Sequence, residues 1–152
     1  MGSGTVYKCK KCGHEFNVLT GIGMLYPHVC NETKEKIRKG KYGKEWKTLL
    51  NENPDCIVNC ERELLICEDC GTPKTEKNLS LYLPRKRAKT NPYAFGEELE
   101  KKHTLLAAYP HRCKKCGGSC KAVRQEIFPS SLKCPKCGEK MVNDPMLMIS
   151  WD

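Results

Sequence analysis

Residues 113–138 read CKKCGGSCKAVRQEIFPSSLKCPKCG, and the Cys-x-x-Cys pairs at the two ends of this stretch decide the fold that we predict. Two residues between the cysteines let one tight turn aim both sulfur atoms at a single tetrahedral ion, while backbone N–H groups of the turn point back at the sulfurs. A glycine directly after the second cysteine relieves the turn's need for a positive φ. Gly117 and Gly138 stand at that position. The stretch therefore predicts two metal-binding turns, which we call knuckles.

The same pattern occurs four times among the 12 cysteines of the chain. The pairs are Cys9/Cys12, Cys67/Cys70, Cys113/Cys116 and Cys134/Cys137, and a glycine follows each of them. The alternative interpretation is a disulfide-rich secreted domain. The 30% charged, lysine-rich composition argues against it, and so do the first residues MGSGT, which have neither a basic start nor an apolar stretch. We therefore predict eight metal-ligating cysteines in a reducing, cytoplasmic setting.

A structural zinc site takes four ligands, so two knuckles close one site. Between Cys116 and Cys134 lie 17 residues, a spacing at which a second hairpin folds back on the first, and we predict that these two knuckles share an ion. Between Cys12 and Cys67 lie 54 residues, so their pairing requires an insertion that leaves the site and returns. The sequence thus predicts two Zn²⁺ ions in closed four-thiolate sites. Iron is the alternative, because the ligand set alone does not distinguish the two metals.

The segments YKCKKCGHEF (7–16) and LKCPKCG (132–138) resemble the knuckles of the zinc-ribbon and rubredoxin-like superfamily. The resemblance implies a small antiparallel β scaffold around a tetrahedral, four-thiolate metal held by the eight cysteines. It implies no particular activity, because such ribbons serve many roles. Rubredoxins are short electron carriers that hold iron, and this chain departs from them in its length, its long insertion and its scarcity of aromatic residues.

Three of the remaining cysteines suggest a third metal site. The spacing Cys56-x-x-x-Cys60 suits two sulfurs on one helical turn, and Cys30 and His28 would complete four ligands. The alternative is a set of buried thiols that behave as small apolar side chains.

Two further features accompany these cysteines. The segment YPHVC (26–30) is echoed by YPHRC (109–113), which a shared turn leading into a strand would explain. Cys120 follows Cys116 by four residues, and we predict a spare thiol beside the C-terminal site that is open to oxidation.

The chain is therefore predicted to be a small α+β, metal-stabilised protein with two zinc-ribbon-like antiparallel β modules. Residues 1–83 would form an elaborated ribbon with a helical insertion, residues 84–108 a basic linker with a short helix, and residues 109–152 a compact C-terminal ribbon. A chain of 152 residues that is 39% hydrophobic and 7% aromatic has little material for a large core. Metal cross-links supply what such a core lacks.

Local patterns predict the individual elements. We expect a strand–knuckle–strand unit over 5–18, two short helices over 33–50 that Gly40 and Gly43 separate, a strand over 78–83 that completes the first sheet, and a helix over 96–108. The first of the two short helices would begin at Asn31 or Thr33 as its N-cap. The apolar tail 146–151 would add a strand or dock on a partner.

The charge of the chain makes nucleic acid one candidate partner. Lys and Arg number 27 against 18 Asp and Glu, a net charge of +9, and two zinc sites at −2 each lower it to about +5. The densest basic run is Arg85-Lys86-Arg87-Ala88-Lys89 in the linker, and lysines also flank the knuckles. Another protein is the second candidate, through exposed apolar elements such as Trp46 and the tail. No run of about 18 apolar residues occurs, so we expect no membrane partner.

Most enzyme signatures are missing from the sequence. His14-Glu15 is not followed by the second histidine of a zinc protease, Gly21-Ile22-Gly23 lacks the third glycine of a dinucleotide-binding fingerprint, and no P-loop occurs. Closed four-thiolate sites leave no coordination position for a substrate. The sequence thus identifies no catalytic residue and favours a binding module over an enzyme.

Overall fold

A computed structural model describes residues 2–86, 89–123 and 128–151, which contain ten strands and three helices. In chain order these are β1 (Gly2–Cys9), β2 (Glu15–Thr20), α1 (Tyr26–Arg38), α2 (Lys44–Glu52), β3 (Ile57–Val58), β4 (Arg62–Cys67), β5 (Pro73–Lys77), β6 (Leu81–Pro84), α3 (Gly96–Lys102), β7 (His103–Ala107), β8 (Cys120–Val123), β9 (Ser131–Lys133) and β10 (Lys140–Trp151). The sheets are antiparallel, so the predicted small α+β class is confirmed. None of the helices in the described part of the chain is long and apolar enough to cross a membrane.

The chain divides into two compact units. Unit 1 comprises residues 1–24, 62–77 and 110–152, and unit 2 comprises residues 25–61 and 78–109. This division differs from the predicted modules 1–83 and 109–152. The chain leaves unit 1 twice and returns to it twice, because the strands of unit 1 pair across long sequence separations.

Unit 1 contains two antiparallel sheets of the same design. In the first, the strand order is β2-β1-β10-β9, and in the second it is β5-β4-β8. The strand before one knuckle pairs with the strand after another in both sheets: β1 pairs with β10, and β4 pairs with β8. Arg112 and Ser119 form a further bridge that completes the second hairpin of the smaller sheet. Each sheet therefore brings two hairpin turns side by side.

The core of unit 1 is small and lies beside the knuckles. Tyr7, Val18, Leu64 and Met141 are fully buried in one cluster, and Phe16 packs against it. The Tyr7 hydroxyl donates a hydrogen bond to the Pro129 carbonyl at 2.7 Å, which satisfies its polar end inside the cluster. Burial of a side chain of this size contributes about 1.5–3 kcal/mol, so a handful of them leaves a modest core.

The tail extends β10 along β1, as one of the two predictions for it proposed. Trp151 pairs with Gly2 in the strand register, and its indole Nε1–H lies 3.3 Å from the carbonyl oxygens of Ser3 and Thr20. The guanidinium of Arg62 lies 5.5 Å from the centre of the indole ring. The part of the tail just before Ile149 is exposed instead, because the side chains of Met146 and Met148 are 89% and 81% exposed.

Unit 2 contains all three helices and the sheet β3-β6-β7. Helix α1 begins at Tyr26 with Pro27 in its first turn, earlier than the predicted cap at Asn31 or Thr33. Proline is tolerated there because the first-turn N–H groups have no partner within the helix. Gly40 and Gly43 have positive φ angles and separate α1 from α2, as predicted.

Trp46 belongs to the interior of unit 2, so its predicted role as an exposed interaction element is wrong. Its side chain is 3% exposed, and its Nε1–H donates to the Leu79 carbonyl at 2.8 Å. The ring of Tyr109 meets it edge-on at 5.0 Å. The helical period placed Trp46 on an apolar stripe with Leu50, and both side chains are buried.

Two predicted elements differ in the structure. The segment 78–83 contributes β6 to the sheet of unit 2 and does not complete the sheet of the first knuckle. The helix predicted over 96–108 ends at Lys102, and the strand β7 begins at His103 and pairs with β6. His103 caps that helix, because its backbone N–H and its Nδ1 both contact the Leu99 carbonyl oxygen.

Candidate metal centres

One turn is repeated at all four knuckles. The N–H of the first cysteine donates to the carbonyl five residues later, and the N–H of the glycine donates back to the carbonyl of that first cysteine. At Cys9 the two hydrogen bonds measure 2.9 Å each, and at Cys134 they measure 2.7 and 2.9 Å. The glycine φ is +71° at Gly13 and +80° at Gly138, a conformation that other residues adopt only at a cost. The glycines therefore close the turns, as the sequence predicted.

The eight knuckle cysteines meet in two groups of four. Site 1 contains Cys9, Cys12, Cys134 and Cys137, and site 2 contains Cys67, Cys70, Cys113 and Cys116. Within each group the sulfur atoms all lie within 4.8 Å of one another. Sγ–Sγ distances between the two knuckles are 3.5 and 3.7 Å in site 1 and 3.4 and 3.7 Å in site 2.

These distances fit a tetrahedral ion. A zinc–sulfur bond is about 2.3 Å long, and a regular tetrahedron with that bond length places its sulfur atoms about 3.8 Å apart. Packing of thiol groups against one another does not by itself require tetrahedral spacing, yet both groups of four sulfur atoms have it. Each site can thus hold one metal ion with sulfur ligands alone, and two sites correspond to two ions.

The predicted pairing of the knuckles is wrong. The sequence order suggested that Cys113/Cys116 would meet Cys134/Cys137, but they lie in different sites. The cause is the sheet pairing, because β10 lies beside β1 and β8 lies beside β4. The compact spacing of 17 residues is therefore a chain connection between two sites and not the loop of one site.

Backbone N–H groups point at the sulfur atoms of site 2. The N–H of Cys70 lies 3.5 Å from Cys67 Sγ, that of Lys115 lies 3.4 Å from Cys113 Sγ, and that of Gly118 lies 3.4 Å from Cys116 Sγ. Donors aimed at sulfur stabilise the negatively charged thiolate. Thiolate is the form that binds metal, so the turns prepare the ligands before an ion arrives.

A hydroxyl group adds to this effect at Cys70. Thr72 Oγ1 lies 3.1 Å from Cys70 Sγ; the thiol donates to the hydroxyl, and once it is ionised the hydroxyl donates to the sulfur. The hydrogen bonds from the Thr72 side chain and backbone lower the pKa of Cys70 to about 6. Thr72 was not predicted from the sequence to act at the site, although it stands two residues after the second cysteine of its knuckle.

The two sites each contain one thiol that ionises readily and one that resists. Burial acts to raise the pKa of Cys134, but the N–H groups of Cys137 and Lys136 lower it to about 7. At Cys116 the Gly118 N–H acts to lower the pKa, yet the neighbouring thiols and burial raise it to about 12. Four sulfur atoms at this spacing thus cannot all become thiolates without a cation between them. A divalent ion supplies that charge.

The hypothesis of a third metal site is wrong, because the described residues contain two groups of potential ligands and neither includes the predicted set. Cys30, Cys56 and Cys60 are buried, but they do not form a ligand group, and His28 is exposed on α1. Cys56 Sγ lies 3.6 Å from the Ile57 carbonyl, and the N–H of Cys60 donates to the Tyr26 hydroxyl at 3.3 Å. The alternative prediction, buried thiols, describes them.

The repeated YPH-x-C motif has no common structure. Residues 26–30 begin helix α1, whereas residues 109–113 lead into the third knuckle without regular secondary structure apart from the bridge at Arg112. Cys120 sits at the start of β8 directly across from Cys67, outside the group of four sulfurs. It was predicted beside the C-terminal site, and it lies instead beside site 2, which Cys116 shares with Cys67.

No protein-family model, curated protein or solved structure matches this chain. The likeness to zinc-ribbon proteins lies in the two groups of four cysteines and in their turns. That likeness describes a metal site and its scaffold, and the function is inferred from the site itself.

Proposed function

We propose that this protein binds two Zn²⁺ ions as structural cross-links, one in site 1 and one in site 2. The observation that supports the proposal is the convergence of four sulfur atoms in each site at the spacing of a tetrahedral ion. Four protein ligands leave no position for a substrate, so the ions stabilise the fold and perform no chemistry. Zinc also suits the role because it holds tetrahedral geometry without redox change.

Native mass spectrometry with elemental analysis tests this proposal. The full chain, purified without added metal, should carry two zinc ions. The Cys12→Ser variant should carry one, because site 1 loses a ligand. Cys56→Ser is the matched control, since Cys56 is buried outside both groups, and this variant should carry two.

Other outcomes would replace the proposal. Iron with visible absorbance would point to the rubredoxin-like electron carrier. A third ion that disappears in Cys56→Ser would restore the hypothesis of a third site. A mass lower by four hydrogens at each site, without metal, would indicate disulfides.

We also propose that the protein contacts nucleic acid, through unit 2. Unit 1 has 14 basic and 9 acidic side chains, a net charge of +5, which two four-thiolate zinc sites at −2 each lower to +1. Unit 2 has 13 basic and 9 acidic side chains, and its net charge of +4 is unaffected by the metal. Arg85, Lys86 and Lys89 of the basic run are exposed, and Arg87 and Ala88 lie outside the described residues. The excess positive charge of the metal-bound protein therefore resides mostly in unit 2.

Salt dependence tests this second proposal against protein binding. An oligonucleotide held by phosphate contacts loses affinity steeply as salt increases, with a slope of about 0.7 per neutralised phosphate on single strands. Fluorescence anisotropy between 50 and 200 mM salt should show that loss. Met146 and Met148 are the most exposed of the large apolar side chains in the described residues, and a protein bound through them would dissociate nearly independently of salt.

A further inference from the structure

A cleft in unit 2 gathers residues from three separate segments. Its walls are Lys34 of α1, residues 54–57 after α2, and the chain that follows β6, from Pro84 to Lys86 and at Thr90 and Pro92. The cleft has a volume of about 560 Å³, within the range of pockets that hold small organic ligands. Residues 84–92 were predicted from the sequence to be a basic linker, without a connection to α1.

The cleft is positively charged. Lys34, Arg85 and Lys86 line it, and Asp55 is the acidic residue among the lining residues. Some other cations of unit 2 are neutralised along their own helices: Lys36 pairs with Glu32 at 2.5 Å, and Lys102 pairs with Glu98 at 2.8 Å.

Within the described residues, Lys34, Arg85 and Lys86 form no ion pair with a carboxylate. Their positive charge therefore remains available to an anion.

Arg85 is held in place without losing its charge. Its Nε donates to the His103 carbonyl at 3.2 Å, and its Nη2 lies 3.3 Å from the Glu100 carbonyl. Its backbone N–H donates to the Lys102 carbonyl at 3.0 Å. Carbonyl oxygens are neutral acceptors, so these contacts orient the guanidinium while its net charge of +1 persists. A preorganised cation binds an anion with less loss of side-chain entropy.

The apolar part of the wall is rigid. Pro54, Pro84 and Pro92 line the same cleft as the cations, and each proline ring fixes its φ angle. Rigid apolar rings beside cations suit a ligand with a charged end and a ring, and a nucleotide has both. An acidic peptide offers carboxylates but no ring at a fixed distance from the charge.

We propose that this cleft binds the phosphate group of a nucleotide, with Lys34, Arg85 and Lys86 as its cationic ligands. The nucleotide is either one residue of a single-stranded nucleic acid or a free mononucleotide. The first source rests on the proposed contact between unit 2 and nucleic acid, and the second does not.

The test uses the zinc-loaded full chain and compares two double variants. K34A/K86A removes two lining lysines, and K41A/K44A removes two exposed lysines of the same unit that do not line the cleft, so both variants lose the same charge. The probes are a fluorescein-labelled 12-nucleotide single strand, AMP, inorganic pyrophosphate and a poly-glutamate peptide. Zinc content and thermal midpoint confirm that each variant is folded.

We expect K34A/K86A to raise the Kd for the single strand about tenfold or more, while K41A/K44A changes it about twofold at most. The salt slope should fall by about 1.4 in K34A/K86A, which corresponds to two lost phosphate contacts on a single strand. Pyrophosphate should shift the amide resonances of Ile57, Lys86 and Thr90 in the wild type and not in K34A/K86A. The K34R/K86R variant should bind like the wild type, since it keeps the charge.

Each other result overturns a distinct statement. If the single strand binds the wild type and both double variants equally, the cleft assignment fails and the nucleic-acid proposal stands. If AMP and pyrophosphate bind in the cleft but the single strand does not bind, the cleft assignment stands with a mononucleotide as its ligand and the nucleic-acid proposal fails. If poly-glutamate binds as tightly as the single strand and is equally sensitive to K34A/K86A, the phosphate assignment is overturned.

Discussion

The hydroxyl group of Thr72 acts on a metal site that it does not itself bind. It lies 3.1 Å from Cys70 Sγ, and together with the backbone of Thr72 it lowers the pKa of that thiol to about 6. In the proposed zinc-bound protein, the same hydroxyl would donate to a coordinated thiolate and fix its orientation. Residues in this position support the ligands that they contact.

Thr72→Val should weaken zinc binding at site 2 about tenfold, because valine keeps the shape of threonine and removes the hydrogen bond to Cys70. Competition with a chromophoric chelator measures the affinity. The Cys12→Ser background is used so that only site 2 is titrated.

Thr75→Val is the matched control for this experiment. Thr75 lies on β5, in the sheet that contains Cys67 at the end of β4. Its buried hydroxyl has no hydrogen-bond partner in the described structure. Its replacement should leave zinc affinity unchanged and raise the free energy of unfolding by about 1 kcal/mol. An equal loss of zinc affinity in both variants would show that β5 packing, and not the Thr72 hydroxyl, controls site 2.

The ease with which individual thiols ionise also predicts the order of zinc release by acid. A thiol whose pKa is lowered in the folded protein contributes stability at pH values above its ordinary pKa. That stability is lost as the pH falls through the pKa of the folded protein. The pKa is about 7 for Cys134 of site 1 and about 6 for Cys70 of site 2. Site 1 should therefore release its ion at a higher pH than site 2.

Two single-site proteins measure this order. Cys116→Ser retains only site 1, and Cys12→Ser retains only site 2. Zinc release is followed by native mass spectrometry from pH 8 downward. Release from Cys12→Ser at the higher pH would contradict the expected order.

At the scale of elements, each knuckle forms from residues that are close in sequence, whereas the knuckle that shares its site lies far along the chain. The turn needs two cysteines, two residues between them and a glycine after them, all within the short segment that the sequence displays. Partner choice depends on whether β10 lies beside β1 or elsewhere, which is decided by packing across 122 to 128 residues of chain. Four knuckles with nearly the same sequence give no local signal for that choice.

The pairing of the knuckles can be tested by counting ions in double variants. Cys12→Ser with Cys137→Ser removes two ligands of site 1, so this protein should carry one zinc ion. Cys12→Ser with Cys116→Ser damages both sites and should carry none. Pairing in sequence order predicts the loss of both ions from the first double variant, so native mass spectrometry distinguishes the two arrangements.

Other elements show the same limit of local reasoning. The break between α1 and α2 was predictable because Gly40 and Gly43 adopt positive φ angles that end helices. The alternating strand at 78–83 was also recognisable, but its sheet was not, because β6 pairs with β3 and β7 inside unit 2. The cleft formed by Lys34 and Arg85 was missed for the same reason, since 50 residues of chain separate these two side chains.

At the scale of the whole molecule, the candidate metal sites and the helices lie in different units. Both four-cysteine sites lie in unit 1, and all three helices lie in unit 2. Unit 2 also has its own buried side chains, among them Ile37, Trp46 and Leu81. Loss of metal should therefore affect the two units differently.

Removal of zinc with EDTA should unfold unit 1 and leave unit 2 folded. Hydrogen exchange read by mass spectrometry should show lost protection in peptides from 62–77 and 110–123, and retained protection in peptides from 25–61. Helical circular dichroism at 222 nm should persist, and zinc added back should restore protection. Equal loss of protection in both units would mean that unit 2 depends on the metal for its stability.

The cysteines of site 2 lie in sequence between the two knuckles of site 1, and this order determines which site can form first during synthesis. Cys67 and Cys70 find their partners after 43 to 49 residues, whereas Cys9 and Cys12 meet theirs only after 122 to 128 residues. All four cysteines of site 2 are therefore present in the nascent polypeptide before Cys134 and Cys137, the partners of Cys9 and Cys12, are synthesised. During that interval Cys9 and Cys12 are exposed to oxidants and to competing metal ions. The Cys9/Cys12 knuckle is thus synthesised before the Cys67/Cys70 knuckle and is closed after it.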